Sequence, residues 1–327
     1  MKKTILKISL DIKDICIPLY KILIPFVFIV KLLEISGIIE LLAQLIEPLM
    51  SMVGLTPELG LVLVTAILIN MYAAIVLFIN LIPVLDVNVA QVTILTTMIL
   101  VCHNLPIESA VCKAAGISFI YTALLRFFSA FLLGFILKLI YFNFDLLAEP
   151  FETLVTLDPL PTEFWPWLYY QFINLVYVFF IVCIMVFILE ILKKIGIERL
   201  FEIVFVPPLR LFGIQKEAMN IIIVGMTIGI QYGGGILIKD VKSGKIDKQS
   251  VFLAVSLLNL LHAVIEDTIL MALIGGHISG ILFARIIFSL ILSYVLFLVY
   301  KKYFNSKIST QQKLSLIHIS EPTRQVQ

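Results

Sequence analysis

Six stretches of about 20 mostly apolar residues run through this sequence, and each is long enough to cross the hydrocarbon core of a bilayer as a helix. They cover residues 16–37, 59–82, 117–140, 167–192, 218–238 and 278–300. The chain is 61% hydrophobic and 14% charged, whereas about 25% of the residues of a soluble domain are charged. This composition excludes an ordinary water-soluble enzyme and predicts an all-α polytopic membrane protein.

Two further apolar stretches, 89–102 and 249–262, are only 14 residues long and run directly into the polar clusters HNLPIE and HAVIED. Because a helix of this length is too short to cross the bilayer, we expect each stretch to form a re-entrant hairpin. Residues 40–53 and 198–211 are predicted to be short helices at the membrane surface.

The second half of the chain repeats the first at a constant offset of 159 residues. Eight pairs of mostly rare residue types match without a gap, which indicates an internal repeat. The pairs are Gly37 and Gly196, Pro48 and Pro207, Gly54 and Gly213, Glu58 and Glu217, His103 and His262, Glu108 and Asp267, Gly116 and Gly275, and Arg126 and Arg285. The predicted organisation is a cytoplasmic segment (1–15), a first repeat (16–141), an acidic external linker (142–166) and a second repeat (167–303).

The distribution of charge predicts how the repeats lie in the membrane. Both ends of the long apolar region and residues 193–216 are rich in Lys and Arg, whereas 38–58 and 141–166 are acidic. By the positive-inside rule, both termini are cytoplasmic and the acidic segments are external. This order requires three spans in each half. Because an odd number of spans in one repeat reverses the orientation of the next, the two repeats are predicted to be inverted. Transporters that bind solutes near the midplane have such inverted repeats. The loop 239–248 is an exception, because it holds four lysines yet would face outward.

Two histidine–carboxylate pairs mark the strongest candidate site. His103 and Glu108 are matched by His262 and Asp267 in the second half, and Asn104 in the first cluster favours an interrupted helix. In the simpler interpretation, each histidine hydrogen-bonds the end of a broken helix. Recurrence in both halves favours a solute-binding site near the midplane. Two histidines and two carboxylates could also bind a divalent metal, but their spacing matches no known ligand signature, so no metal site is predicted.

Arg126 and Arg285 lie several residues inside predicted spans, where a charge is costly. Each is interpreted either as a structural arginine paired with a carboxylate or as a group that holds an anionic or carbonyl group of a solute. Glu108 and Asp267 are the natural partners.

Amide and phenol side chains at mid-depth in two matched spans complete the predicted site. Asn70, Tyr72, Gln231 and Tyr232 could hydrogen-bond a polar solute, and the glycines after Tyr232 permit close approach of a ligand. The alternative is that these positions serve helix–helix packing.

Two segments, IEPLMSMVGLTPELGLVLVTAILINMYAAI and VPPLRLFGIQKEAMNIIIVGMTIGIQYGGG, resemble the nucleoside-recognition (Gate) domain. This domain is shared by concentrative nucleoside transporters, spore maturation proteins A and B, and the membrane part of bacterial ferrous-iron transporters. The resemblance implies inverted repeats with two re-entrant hairpins that hold the substrate. The chain lacks the additional scaffold helices of the nucleoside transporters and looks closest to short proteins with two Gate domains.

The expected function is a permease for a small polar solute, and the resemblance suggests a nucleoside. The alternatives are a non-transporting membrane assembly component of spore-maturation type and a divalent metal permease. No enzyme is predicted, because no nucleophile–base pair or metal-hydrolase motif is present. The expected partners are the bilayer of the bacterial cytoplasmic membrane, the solute, and a second copy or a paired Gate-domain protein. No nucleic acid and no cofactor are expected, and the sequence does not decide whether H⁺ or Na⁺ is a coupling ion.

The sequence from Leu314 to Arg324, LSLIHISEPTR, is the translation of a common transposon-type sequencing adapter. We therefore treat residues 314–327 as an artefact of sequence assembly. His318 is excluded from the candidate site for this reason.

Overall fold

The computed structural model describes residues 38–152, 163–229 and 244–319 without a gap, together with scattered positions in 10–36 and the pair 240–241. Within these residues the regular structure is helical, apart from one isolated bridge between Asn88 and Pro150. The protein is an all-α polytopic membrane protein, as the composition predicts.

The first half contains six described helices. They are α1 (Ile38–Met52), α2 (Pro57–Leu68), α3 (Met71–Leu81), α4 (Val89–Cys102), α5 (Leu105–Ala114) and α6 (Phe119–Asn143). A short 3₁₀ turn at Ile82–Val84 follows α3.

The described part of the second half contains a similar series. Its helices are α7 (Phe164–Ile195), α8 (Ile197–Leu211), α9 (Lys216–Ile228), α10 (Lys248–Leu260), α11 (Val264–Leu273) and α12 (Arg285–Ile319). A π-helical turn at Ser279–Ala284 leads into α12. The last helix extends into the predicted adapter segment, of which residues 320–327 lie outside the described residues.

The predicted single span over residues 59–82 is wrong. Helix α2 ends at Leu68, Asn70 is fully extended, and α3 begins at Met71 and packs alongside α2. Helices of 12 and 11 residues are roughly 17–18 Å long, which is too short for a hydrocarbon core of about 30 Å. Because α2 and α3 also contact each other, we interpret the region as a helical hairpin, hereafter the α2–α3 hairpin.

The prediction of hairpins at 89–102 and 249–262 is also wrong. Helix α4 continues after two residues into α5, and α10 continues after three residues into α11. The combined stretches Val89–Ala114 and Lys248–Leu273 have 26 residues each and are long and apolar enough to cross a membrane. Each is an interrupted helix. In the first half, residues 59–82 were predicted to cross the membrane and 89–102 to form a hairpin, whereas the structure has the hairpin at α2–α3 and the long apolar stretch at Val89–Ala114. The second-half counterpart of the α2–α3 hairpin lies partly in 230–239, outside the described residues.

Two other stretches, Phe119–Asn143 and Ser279–Lys302, are also long and apolar enough to cross a membrane. They are much less buried than the interrupted helices, and each presents an apolar stripe to the outside of the protein. On α6 the exposed stripe consists of Ile120, Leu124, Phe128, Leu132, Phe135 and Leu139. The spacing of three or four residues places these side chains on one helix face, which suits contact with lipid. The interrupted helices therefore form the interior of the protein.

The predicted surface segments form helices α1 and α8, close to the predicted bounds. The second part of α1, Gln44–Met52, turns by 93° into α2. This sharp angle suits a helix that lies along the membrane surface before the chain enters the bilayer. The structure describes only scattered positions of the predicted first span, 16–37, so the number of spans in each half stays a prediction.

Contacts between the two halves hold the interrupted helices together. Helix α4 packs against the π-helical turn, and α10 packs against α6. A Cβ atom at Gly280 would lie 2.5 Å from Cγ2 of Thr93, so this approach requires glycine. The hydroxyl of Tyr121 lies 2.8 Å from that of Ser256. These contacts position the breaks in the two helices opposite each other.

Candidate functional site

The breaks in the two interrupted helices meet in the interior of the protein. His103 ends α4 and His262 follows the end of α10, and their ring centroids are 5.2 Å apart. At each break one residue adopts the left-handed conformation, Asn104 with φ 49° and Ala263 with φ 44°. Positive φ is uncommon for residues other than glycine, and here it lets the chain leave one helix and begin the next.

Each break is held by a hydrogen bond that it donates to the helix beside it. The backbone N–H of Asn104 donates to the carbonyl of Ala66 on α2, at 2.8 Å. In the second half, the N–H of Ala263 donates to the carbonyl of Gly225 on α9, at 3.1 Å. Both donors and both acceptors are related by the offset of 159 residues, so the internal repeat extends to backbone hydrogen bonds.

The two imidazole rings are oriented in the same way. Nδ1 of His103 lies 3.0 Å from the carbonyl oxygen of Ile99, and Nδ1 of His262 lies 2.8 Å from that of Leu258. Because a carbonyl oxygen only accepts, we assign the proton to Nδ1 in both rings. In a neutral ring, Nε2 then presents a lone pair to the space between the breaks.

Glu108 and Asp267 lie in the first turns of α5 and α11 and face the same space. Nε2 of His103 is 3.5 Å from Oε1 of Glu108 and 3.9 Å from Oδ2 of Asp267. Nε2 of His262 is 3.3 Å from Oε2 of Glu108. The four residues, hereafter the central cluster, are at least 94% buried and include contacts between the halves.

Arg126, which is fully buried on α6, binds both sides of the first break. Its Nη1 contacts Oε2 of Glu108, while Nε and Nη2 donate to the carbonyl oxygens of Val101 and His103 at 2.7 and 2.8 Å. The carboxyl end of a helix carries partial negative charge, so these carbonyls also stabilise the guanidinium. Arg126 thus connects the end of α4 to the beginning of α5.

Arg285 repeats this arrangement only in part. Its Nε and Nη2 donate to the carbonyls of Leu260 and His262 at 3.2 and 2.8 Å. Its Nη1 has no hydrogen-bond partner among the described residues, and neither has Oδ2 of Asp267. Aspartate is one methylene shorter than the matched Glu108. The second half therefore leaves a buried donor and a buried acceptor available.

The other predicted site residues differ in their positions relative to the central cluster. The side chain of Asn70 accepts a hydrogen bond from the N–H of Ala73 at 2.8 Å and so caps α3. Tyr72 packs on the adjacent hydrophobic core and lies within electrostatic range of Asp267. Gln231 and Tyr232 fall outside the described residues.

We expect Asn70 to act through the helix cap. Asn70→Ala should lower the free energy of unfolding by about 1 kcal/mol, whereas Asn70→Ser should retain most of the stability because serine also caps helices. Thermal unfolding of the purified variants measures both. If Asn70→Ser is as stable as the wild type but loses solute binding, Asn70 belongs to the site after all.

Two hydroxyl groups near the central cluster were missed in the sequence. Ser109 and Thr268 directly follow the two carboxylates, are buried, and have no side-chain hydrogen-bond partner among the described residues. They are related by the same offset of 159 residues, and this relation could have identified them from the sequence.

The central cluster also has the donor set of a metal site. His103, His262 and Asp267 each offer one ligand atom, and the three atoms lie within 4.8 Å of one another. All three residues are buried. Imidazole nitrogen with carboxylate oxygen is a common environment for divalent transition metals.

Comparison with known proteins supports the membrane assignment. The chain is 27% identical over 295 residues to YvoD of Bacillus subtilis strain 168, an uncharacterized membrane protein, and the match covers 89% of this chain and 93% of YvoD. The protein is a membrane protein. No model of a known protein family matches the sequence, so the resemblance to the Gate domain stays a prediction. No solved structure matches.

Proposed function

We propose that the protein is a permease that binds a small polar solute at the central cluster, between the two helix breaks. The observation that carries this proposal is the unpartnered pair formed by Nη1 of Arg285 and Oδ2 of Asp267. A buried polar group without a partner costs about 1–3 kcal/mol, and more when it is charged. A solute that hydrogen-bonds these atoms would offset that cost.

The depth of the cluster supports a role in transport. His103 is the fifteenth of the 26 residues in Val89–Ala114, so it lies roughly 21 Å from one end of a stretch about 39 Å long. This position is near the middle of the bilayer if the stretch crosses it. Interrupted helices that meet at mid-depth are a recurring way for transporters to present backbone and side-chain groups to a solute.

In this proposal the repeats are inverted, the protein lies in the cytoplasmic membrane, and both termini are cytoplasmic. Single cysteines at Glu47 and Glu152 should then react with an impermeant thiol reagent added to intact cells, whereas one at Arg199 should react only after the membrane is opened. All three positions are exposed in the structure. The background should lack the four native cysteines. External labelling at position 199, or protection at 152, would contradict the inverted arrangement.

The nucleoside suggested by the resemblance is one solute to test, and its support is the resemblance alone. Purified protein in liposomes should be assayed for uptake of labelled nucleosides, amino acids and divalent metal ions. We expect uptake of one class, and Asp267→Asn should reduce its rate at least about tenfold, as loss of a hydrogen bond to a charged group implies.

The matched control is His277→Ala, because His277 is an exposed histidine outside the central cluster. This variant should transport at the wild-type rate. If correctly folded protein moves none of these solutes, the permease proposal fails and the role as a non-transporting assembly component is favoured.

A further inference from the structure

We propose that the central cluster binds a divalent first-row transition-metal ion through Nε2 of His103, Nε2 of His262 and Oδ2 of Asp267. This inference rests on the proposed function and makes the metal ion the transported solute. The sequence-based prediction assigned no metal site but kept a divalent metal permease as an alternative.

The spacing of the three atoms suits a single ion. One ligand atom from each of the three residues lies within 4.8 Å of the other two, and Nε2 of His103 is 3.9 Å from Oδ2 of Asp267. Ligands at about 2.0–2.2 Å from a tetrahedral metal are roughly 3.3–3.6 Å apart, so a small inward movement would complete the site. Donors this close leave no space for a purine or pyrimidine ring between them.

The hydrogen bonds of the histidines orient them as metal ligands. In protein metal sites, the imidazole nitrogen that does not bind the metal usually donates to a backbone carbonyl or a carboxylate. Nδ1 of His103 and Nδ1 of His262 both meet backbone carbonyls four residues earlier. This arrangement fixes the tautomer and directs both Nε2 lone pairs towards Asp267 and Glu108.

Those lone pairs face negative charge. With Nδ1 protonated and the ring neutral, Nε2 of His262 opposes Oε2 of Glu108 at 3.3 Å, and Nε2 of His103 opposes Oε1 at 3.5 Å. Two acceptors at these distances repel each other unless a cation or a proton lies between them. Nε2 of His262 indeed has no partner with hydrogen-bond geometry among the described residues.

The neighbouring arginines leave one carboxylate for a cation. Arg126 is paired with Glu108, and Arg285 donates two hydrogen bonds to carbonyls at the end of α10 rather than to Asp267. Oδ2 of Asp267 therefore has no hydrogen-bond partner among the described residues and is available to a cation. Imidazole ligands favour zinc, copper, iron or nickel over magnesium and calcium, which prefer oxygen.

Titration with Co²⁺ tests the site directly. The full chain should carry His318→Ala, to remove a histidine outside the site, and should be purified in detergent through a tag without histidine. We expect one Co²⁺ per chain, visible as ligand-field absorption and displaced by Zn²⁺ but not by Ca²⁺. His103→Ala and Asp267→Asn should each weaken binding at least about tenfold, because losing even a supporting residue costs 10–100-fold in affinity. His277→Ala should bind like the parent protein.

Thermal unfolding without metal identifies any variant that has lost its fold, and Asp267→Asn preserves shape if His103→Ala does not fold. Absence of stoichiometric Co²⁺ binding to folded parent protein would overturn the metal site. So would unchanged binding in Asp267→Asn. If the protein transports an organic solute but binds no Co²⁺, the metal inference fails and the permease proposal stands. If it binds Co²⁺ but transports nothing, the metal site stands and the permease proposal fails.

Discussion

Arg126→Ala will lower the free energy of unfolding by about 3–5 kcal/mol, the usual loss when one partner of a buried ion pair is removed. The fully buried guanidinium contacts Glu108 and donates to two carbonyls at the end of α4. Its removal leaves a buried carboxylate without its cation and exposes the helix break. Thermal unfolding in detergent should show a melting temperature roughly 5–10 °C below that of the wild type.

Two matched variants make this result specific. Arg285→Ala should be less destabilising, since Arg285 lacks the hydrogen bond to a carboxylate that Arg126 has. Removing Glu108 together with Arg126 should restore part of the lost stability, because no uncompensated charge then stays buried. Equal losses for the two arginines, or a double variant less stable than Arg126→Ala, would contradict a stabilising pair at the first break.

Asp267→Glu will stabilise the protein and weaken the binding and uptake that we propose. The longer side chain can reach Nη1 of Arg285 and recreate in the second half the pair that Glu108 and Arg126 form in the first. A hydrogen bond between charged groups contributes about 1.5–3 kcal/mol, part of which is lost to crowding by the added methylene. We expect a melting temperature higher by a few degrees, together with at least about tenfold weaker Co²⁺ binding and slower uptake.

The reciprocal variant is Glu108→Asp, which shortens the side chain at the matched position. It should weaken the contact with Arg126 and lower the melting temperature, so the two exchanges have opposite effects on stability. If Asp267→Glu leaves stability, binding and uptake all unchanged, then Oδ2 of Asp267 and Nη1 of Arg285 do not form the available pair on which the permease proposal rests.

The constant offset between the halves made much of the site predictable. It matched each histidine, carboxylate and arginine with its counterpart, and in the structure these pairs meet at the two breaks. The contact of His262 with Glu108 could not be predicted from the offset, because it joins residues of different repeats. Such contacts depend on how the halves pack, which a one-dimensional comparison of the halves does not contain.

The lengths of the apolar stretches led to the wrong placement of the hairpins. Residues 59–82 carry no charge and are long enough for a span, yet the chain turns at Asn70. An asparagine that can cap a helix was the only local sign of a new helix there. At 103–104 the strong polar signal suggested a tip, but Pro106 lies in the first turn of α5 and the helix resumes. Proline is tolerated at that position, so it marks a restart as readily as an end.

The hydrogen bonds from Asn104 to Ala66 and from Ala263 to Gly225 have a mechanical consequence. Each ties an unwound point of an interrupted helix to a neighbouring helix, so that neighbour cannot swing away without releasing a backbone N–H beside the central cluster. The two ties belong to different halves. If the repeats are inverted, the two neighbouring helices would approach the central cluster from opposite sides of the membrane, and releasing the two hydrogen bonds in turn would expose a bound ion or solute first to one side and then to the other.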